Sequence, residues 1–246
     1  SHKCFERLDE METFDQINRI KADLADPSSI QSAIRQSQPD EIYNLAAQSF
    51  VGASFQQPLL TADITGLGAL RVLDAIKENA PNAKFYQASS SEMFGNSPGM
   101  KDENSVFKPR SPYGAAKVFA HQITNHYREA YNISACCGIL FNHESPLRGI
   151  EFVTRRITWN LARIKSKKIK NFTLGNIYAK RDWGFAGDYV ESMWQMLQQD
   201  KPDDYVIAMG KSHSVEEFLT LASEYAGLGD WHDFVKIDEF NIRPTD

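Results

Sequence analysis

The chain has 246 residues, of which 42% are hydrophobic and 24% charged, and its formal net charge is −5. This composition is ordinary for a globular protein, and the acidic balance without a prominent basic block argues against nucleic-acid binding. No apolar run approaches the roughly 20 residues that span a bilayer, so no membrane partner is expected. The three cysteines, two of them adjacent, form no disulfide framework, and a cytoplasmic location is expected.

The first part of the chain predicts strands that alternate with helices. Three predicted helices separate four predicted strands. The first helix begins with a serine cap after Pro27. Strands are predicted over residues 20–24, 41–47, 84–88 and 133–141, and helices over 28–36, 59–79 and a segment that opens at residues 111–112. Such alternation predicts a parallel sheet covered on both faces, with ligands bound at the edge where the strands end.

After about Asn142 the rhythm changes. Ser214 to Glu217 matches a capping box and predicts the start of a helix that stops near Gly227. Other helices are predicted over 152–165 and 188–198, and strands over 172–176 and 205–208. This stretch is interpreted as a smaller lobe over the sheet edge.

Four side chains near the predicted sheet edge suggest redox chemistry. Tyr113 and Lys117 lie four positions apart on a predicted helix and therefore share one face. A nearby cation lowers the pKa of a phenol, so Tyr113 could take a hydroxyl proton while carbon gives up hydride. Ser90 could bond the same oxygen, and Glu92 is suited to removing a proton next to a carbonyl. Taken singly, each also fits a surface pair, a strand-end turn or a helix cap.

The segment that follows the strand over 133–141 adds cationic groups. Arg148 and Arg181 could hold a phosphate by forked hydrogen bonds. His143 and Glu144 have no third ligand at a recognisable spacing, so no metal is expected.

These residues closely resemble the GDP-mannose 4,6-dehydratase family, within the extended short-chain dehydrogenase/reductase superfamily. The segment Asn142 to Pro146, Asn-His-Glu-Ser-Pro, is far more specific than Tyr-x-x-x-Lys and separates this family from most of its relatives. The matching segments are residues 44–49, 87–95, 109–117, 138–146, 152–155, 181–184 and 188–190.

The resemblance implies a role for each matching residue. Tyr113 would be the base for the sugar O4 hydroxyl, with Ser90 assisting, and Glu92 would remove the C5 proton and help water leave C6. Lys117 would hold the nicotinamide ribose and lower the tyrosine pKa. With Tyr113 and Lys117, the residues implied to line the cofactor are Asp23, Leu24, Leu45, Ala46, Ala47, Gln48, Ser49, His143 and Arg148. With Ser90 and Glu92, those implied to contact the substrate are Asn142, Arg181 and Arg243.

The resemblance also implies the fold and the reaction. A Rossmann-type doubly wound parallel sheet over residues 1–142 would bind NADP, and 143–246 would be mainly a small substrate-binding lobe, with some elements returning to the Rossmann part. GDP-D-mannose would be oxidised at C4, would lose water across C5 and C6, and would regain hydride at C6. The product would be GDP-4-keto-6-deoxy-D-mannose, and the assembly a homodimer or homotetramer.

Departures from the family leave alternatives open. Ser90 stands where many members have threonine, and Arg156 replaces a commoner lysine. The family's opening strand, glycine-rich loop and first helix are missing from this sequence, as are its usual C-terminal helices, so the sequence is expected to be either a fragment or a set of ordered residues with its gaps closed up. A related nucleotide-sugar dehydratase or epimerase, for example on a GDP-heptose, and a non-catalytic nucleotide-binding scaffold remain alternatives. The residues alone do not decide between NAD and NADP.

Overall fold

The computed structural model describes residues 13–238. Its α-helices are α1 (Pro27–Ser37), α2 (Val51–Gln56), α3 (Pro58–Thr61), α4 (Gly68–Asn79), α5 (Pro112–Tyr131), α6 (Val153–Lys165), α7 (Ala186–Leu197) and α8 (Val215–Ala226). Its strands are β1 (Glu41–Asn44), β2 (Lys84–Ser90), β3 (Ala135–Leu140), β4 (Asn142–Glu144), β5 (Phe172–Leu174), β6 (Lys180–Phe185), β7 (Asp204–Ile207), β8 (Ser212–Ser214) and β9 (Val235–Ile237). A π-helix (Ala62–Leu67) joins α3 to α4, and short 3-10 helices cover Phe14–Gln16, Ser91–Met93 and Trp231–Asp233.

The main sheet has four parallel strands in the order β1-β2-β3-β7. Its register places Ser90 of β2 opposite Leu140 of β3, which in turn lies opposite Ile207 of β7. Because the strands are parallel, their carboxyl ends meet at one edge. The segments that follow β2 and β3, which carry most of the predicted site residues, therefore start side by side.

Both faces of this sheet are covered. Phe85 of β2 packs in a cluster with residues of α1, α4 and α5, whereas the adjacent Tyr86 packs with Tyr189 and Met193 of α7. Consecutive strand residues point to opposite faces, which explains why two neighbouring aromatic side chains belong to two cores. Helices on both faces of a parallel sheet are the doubly wound arrangement that the sequence predicts, so that prediction is confirmed.

A second region lies beyond the sheet edge. β6 pairs parallel with β4 and antiparallel with β8, while β5 and β9 form a separate parallel pair. α6 and α8 pack around a core that contains Leu161, Leu219 and Trp231. α7 and β7 follow β6 in the chain but belong with the main sheet: β7 pairs with β3, and α7 packs against the sheet. The division at residues 142 and 143 stays a prediction.

Two local predictions near the start of the described residues are wrong. Residues 20–24 form no strand, because no neighbouring strand among residues 13–238 pairs with them and a strand needs a ladder of hydrogen bonds. The cap of α1 is Asp26 rather than a serine: its carboxylate accepts from the Ser28 backbone N–H at 3.0 Å, and Pro27 occupies the first helical position.

Candidate active site

A cavity of about 580 Å3 opens at the carboxyl ends of β2 and β3. Ser90, Glu92, Tyr113 and Lys117 all line it. The structure thus brings together the four residues that the sequence singled out, at the sheet edge where parallel α/β folds place their ligands.

The start of α5 fixes two of these side chains. The Ser111 hydroxyl caps the helix by accepting from the Gly114 N–H at 3.0 Å, and Pro112 takes the first helical position. Gly114 has no room for a side chain, because an added Cβ would lie 2.8 Å from the Glu92 carbonyl oxygen. The first turn of α5 therefore packs directly against the 3-10 turn that carries Glu92.

Lys117 is fully buried, with only 3% of its surface exposed. Its Nζ donates to the Ala88 carbonyl of β2 at 2.6 Å and lies 5.7 Å from the centroid of the Tyr113 ring. Burial lowers the pKa of Lys117 to about 8, and the charge interaction with Cys137 opposes this effect only in part. At slightly alkaline pH, Lys117 is therefore a neutral amine in a substantial fraction of the molecules.

Tyr113 does not have the lowered pKa that the sequence predicts. Burial raises the pKa of Tyr113 to about 12, and the hydrogen bond with Ser90 lowers it only in part. The charge of Glu92 raises this pKa further, whereas the charge of Arg148 lowers it. The expectation failed because desolvation of the phenolate outweighs the neighbouring cations, and the Lys117 ammonium is directed at the Ala88 carbonyl.

Ser90 and Glu92 form one compact turn. Ser90 is the last residue of β2, and its hydroxyl accepts from the Glu92 backbone N–H at 3.3 Å. This bond caps the 3-10 helix Ser91–Met93, which turns the chain so that the half-buried Glu92 lines the cavity. A hydroxyl and a carboxylate therefore border the same space as the Tyr113 phenol.

His143 and Arg148 lie on the β3 side of the cavity. His143 Nδ1 lies 3.0 Å from the Phe141 carbonyl, and a carbonyl only accepts, so Nδ1 carries a proton. The imidazole stacks on Tyr189 with ring centroids 4.9 Å apart, and burial lowers the pKa of His143, which keeps it neutral near pH 7. The Arg148 guanidinium lies 3.8 Å over the Phe152 ring.

The Arg148 Nε is a buried donor with an incomplete set of partners. It lies 3.4 Å from Glu144 Oε2, within ion-pair distance, but makes no hydrogen bond with the described residues. Glu144 Oε2 is held instead by the Thr154 hydroxyl at 2.6 Å. A half-buried guanidinium in a cavity wall is suited to an anionic ligand group.

A second cavity of about 730 Å3 adjoins the first. Glu92, Asn142 and Arg181 line both, so they mark the junction. The wall of the second cavity is rich in cations: Lys101, Arg110, Lys180 and Arg181. The buried Asp182 carboxylate accepts from the backbone N–H groups of Met209 and Lys211, which fixes β6 against the following loop.

Most of the predicted site residues reach the first cavity. Besides the four residues named above, those that line it are Leu45, Ala47, Ser49, Asn142, His143, Arg148 and Arg181. Ala46 and Gln48 alternate with them and do not line it, although both side-chain polar atoms of Gln48 are buried without a hydrogen-bond partner among the described residues. Arg243 lies outside the described residues.

Asp23 and Leu24 lie away from this cavity. The Asp23 carboxylate accepts from Ala25 N–H, and the Leu24 side chain faces α4, where a Cβ added at Gly68 would lie 3.3 Å from it. Their assignment to a cofactor stays a prediction.

Sequence reasoning missed several lining residues. Phe152, Arg156, Asn176 and Met193 all border the first cavity. Phe152 lies within a segment that matched the family, and Asn176 is the last residue of the predicted strand over 172–176, so position at the end of a strand was the available signal. Met193 is an apolar residue within a predicted helix, and its position in the sequence does not indicate that it lines a cavity.

The parallel sheet, the Tyr-x-x-x-Lys pair at the start of α5 and the adjoining Ser–Glu turn define a protein of the extended short-chain dehydrogenase/reductase class. The family model described as GDP-mannose 4,6 dehydratase matches residues 1–246, and the chain belongs to this family.

Comparison with individual proteins gives the same result. The chain is 55% identical over 228 residues to GDP-mannose 4,6 dehydratase 1 of Arabidopsis thaliana, covering 91% of this chain and 63% of the relative. It is 52% identical over 208 residues to GDP-mannose 4,6 dehydratase of Homo sapiens, covering 83% and 56%. The chain thus spans between half and two thirds of these relatives. The named relatives give no support to the epimerase or scaffold alternatives.

Solved structures share the fold. The structure of RMD from Pseudomonas aeruginosa complexed with NADPH matches with a TM-score of 0.82 at 23% identity, covering 90% of this chain and 75% of that chain. DesIV from Streptomyces venezuelae, a dTDP-glucose 4,6-dehydratase with NAD and TYD bound, matches with a TM-score of 0.79 at 19% identity, covering 90% and 67%. Within residues 13–238, no helix has both the length and the apolar character needed to cross a membrane.

Proposed function

We propose that the protein converts GDP-D-mannose to GDP-4-keto-6-deoxy-D-mannose, with NADP as its cofactor. The observation that carries this proposal is the position of Glu92. Its side chain lies at the junction of two cavities, one turn after Ser90 and against the helix that presents Tyr113. A carboxylate at this place is suited to removing a proton from carbon, which a simple alcohol dehydrogenase does not need.

The first cavity suits a dinucleotide. Lys117 and the neutral His143 offer polar contacts, and the buried Arg148 Nε is available to an anionic group. NADP⁺ would accept hydride from C4 of the sugar, and the reduced form would return it to C6. Two observations support NADP rather than NAD: the family to which the chain belongs, and the NADPH bound in the structurally similar RMD from Pseudomonas aeruginosa.

Chain residues supply the proton transfers. In its phenolate form, Tyr113 takes the proton from the O4 hydroxyl as the C4 ketone forms, with the Ser90 hydroxyl bonded to the same oxygen. The ketone acidifies the neighbouring C5–H, and Glu92 removes that proton. The protonated Glu92 then gives a proton to the C6 hydroxyl, which leaves as water. As C6 is reduced, the proton that Tyr113 took from O4 returns to C5, directly or by exchange with solvent, so the net change is loss of one water.

The second cavity suits the nucleotide diphosphate. Arg110, Lys180 and Arg181 surround it, and an arginine can bind phosphate with two parallel hydrogen bonds. Asn142 lies at the junction of the cavities, where the sugar would meet the catalytic groups. A GDP-sugar would thus lie with its phosphates beside the cations and its hexose beside Glu92.

We also propose a homodimer or homotetramer that acts in the cytoplasm. Leu67 and Phe119 are both 42% exposed, and Phe119 lies over Gly66, so the π-helix and α5 share an exposed apolar face. A second copy of the chain is the occupant that we propose for this face. The free, buried thiols of Cys136 and Cys137 are typical of a reducing compartment.

The test is incubation of the full-length protein with GDP-mannose and NADP⁺, with mass-spectrometric detection of the product. Loss of one water is expected; substrate deuterated at C4 should give product deuterated at C6, and solvent D2O should label C5. An epimerase would leave the mass unchanged. A scaffold would give no product, and titration with NADP⁺ would show whether it binds the cofactor at all.

A further inference from the structure

Two consecutive residues near the end of β2 are held by one face of α5. The Ala88 carbonyl accepts from Lys117 Nζ at 2.6 Å, and the Ser89 Oγ lies 3.0 Å from Nδ1 of His121. Lys117 and His121 are four residues apart and therefore lie one above the other on the helix. His121 itself does not line either cavity, and only 3% of its surface is exposed.

The direction of the hydrogen bond between Ser89 and His121 follows from the contact of the second ring nitrogen, Nε2. His121 Nε2 lies 3.3 Å from Oδ2 of Asp204 on β7. A carboxylate only accepts, so Nε2 carries the proton that faces Asp204, and in the tautomer with this single proton Nδ1 accepts from the Ser89 hydroxyl. The Asn125 Nδ2 also lies 3.4 Å from Nε2. The Phe107 ring meets the imidazole edge-on, with centroids 5.0 Å apart, and restricts its rotation.

Asp204 is itself held by several partners. Arg128 donates to its Oδ1 at 2.9 Å and Asn125 to its Oδ2 at 2.8 Å, and the backbone N–H of Cys137 lies 3.3 Å from Oδ1. Burial raises the pKa of Asp204, but the hydrogen bonds from His121 and Arg128 outweigh it, so the pKa lies below its ordinary value. The carboxylate therefore stays charged and fixed.

His121, Cys137 and Asp204 also have ligand atoms within 4.8 Å of one another, the arrangement of an incomplete metal site. Arg128 already neutralises the carboxylate, and burial raises the pKa of the Cys137 thiol well above its ordinary value. A cation would have to displace the guanidinium and take a thiolate that the environment disfavours. The hydrogen-bonded chain from Asp204 to Ser89 explains the cluster better.

We propose that His121 is a positioning residue: through Ser89 it fixes the end of β2, and with it the Ala88 carbonyl that holds Lys117 and the hydroxyl of Ser90. Ser89 and Ser90 both line the first cavity, but their side chains point to opposite sides of the strand, so the Ser89 hydroxyl bonds His121 while the Ser90 hydroxyl bonds Tyr113. A small rotation of the Ser89 backbone would move both the acceptor of Lys117 and the hydroxyl beside Tyr113. This inference rests on the proposed function.

The test uses Ser89→Ala, which removes one hydroxyl, and His121→Phe, which keeps the contact with Phe107 but removes both hydrogen bonds. Thr124→Val is the matched control: Thr124 is equally buried on α5, but its hydroxyl donates to the Ala120 carbonyl within the helix. We expect kcat to fall about tenfold in the two test variants, with KM for GDP-mannose within about twofold of wild type. Thr124→Val should leave both constants unchanged.

A second measurement does not need turnover. In full-length protein with isotope-labelled lysine, the Lys117 signal, assigned by its loss in Lys117→Met, is followed by NMR during a pH titration. Wild type should titrate near the pKa of about 8. Ser89→Ala should lower this pKa by about half a unit or more, because a misaligned Ala88 carbonyl stabilises the ammonium less, whereas Thr124→Val should not.

The two measurements separate the positioning role from the proposed activity. Wild type without dehydratase activity would contradict the proposed function. The positioning role would still be supported if Ser89→Ala, but not Thr124→Val, shifts the Lys117 titration. If wild type is active, the positioning role is overturned when Ser89→Ala matches Thr124→Val in both kcat and the Lys117 titration. It is equally overturned if Thr124→Val loses as much activity as the test variants.

Discussion

Replacement of Lys117 by methionine should make the stability of the protein less dependent on pH. Burial lowers the pKa of Lys117 from its ordinary 10.5 to about 8. A tenfold change in an equilibrium is about 1.4 kcal/mol, so the folded state loses roughly 3 kcal/mol by burying this ammonium at neutral pH. Between these two pKa values the unfolded chain binds more protons than the folded protein, so wild-type stability rises with pH.

The expected difference between wild type and Lys117→Met follows directly. Methionine removes the titrating group but leaves the Ala88 carbonyl without its donor, which costs about 1–3 kcal/mol at every pH. That constant cost cancels when the difference at one pH is subtracted from the difference at another. The difference in unfolding free energy between variant and wild type should therefore favour the variant by roughly 3 kcal/mol more at about pH 7 than at about pH 11. The variant should also lose the proposed dehydratase activity.

Urea denaturation of both proteins across this pH range measures the effect, with the exposed Lys165→Met as a control in which the difference should stay constant. Other titrating groups are common to all three proteins and cancel. A Lys117→Met difference that does not change with pH would refute the reasoning, because it would mean that burial does not disfavour the Lys117 ammonium.

Three further outcomes are expected. Tyr113→Phe should lower kcat by roughly a hundred- to ten-thousandfold with substrate binding retained, measured by steady-state kinetics and calorimetry; near-normal turnover would assign the base elsewhere. Glu92→Gln should still reduce the cofactor at C4, seen by absorbance, but should release no dehydrated product by mass spectrometry; normal water loss would contradict its role. Gly138→Ala should destabilise the protein by about 1–3 kcal/mol in urea denaturation, since an added Cβ would lie 2.8 Å from the buried Tyr86 ring and overlap its hydroxyl; unchanged stability would show that the ring can move.

Much of the sheet could be predicted from the sequence because its strands are short apolar runs between helices with clear caps. The capping box at Ser214 is present as predicted, with the Glu217 side chain accepting from the Ser214 N–H at 3.1 Å. β4 and β8 were missed because strands of three residues have no resolvable period. The predicted strand over residues 41–47 ends at Asn44, and the residues after it line the cavity instead.

The membership of the site could be predicted for a different reason. Parallel strands end at one edge, so residues that follow β2 and β3 must meet whatever their side chains are. The electrostatics could not be predicted in this way, since burial is a property of the packed fold. Lys117 was expected to act on Tyr113, but its ammonium instead donates to a carbonyl two residues before Ser90. Its partner depends on a register that the sequence does not reveal.

The resting proton distribution in the site follows from the same burial. In water, a lysine and a tyrosine have similar pKa values near 10. In this structure the pKa of Tyr113 is about 12 and that of Lys117 about 8, because burial penalises the phenolate and the ammonium alike. The state with a neutral phenol and a neutral amine is therefore favoured over the ion pair. Tyr113 becomes an effective base only if additional positive charge enters its cavity, and the charge of Arg148 already lowers its pKa.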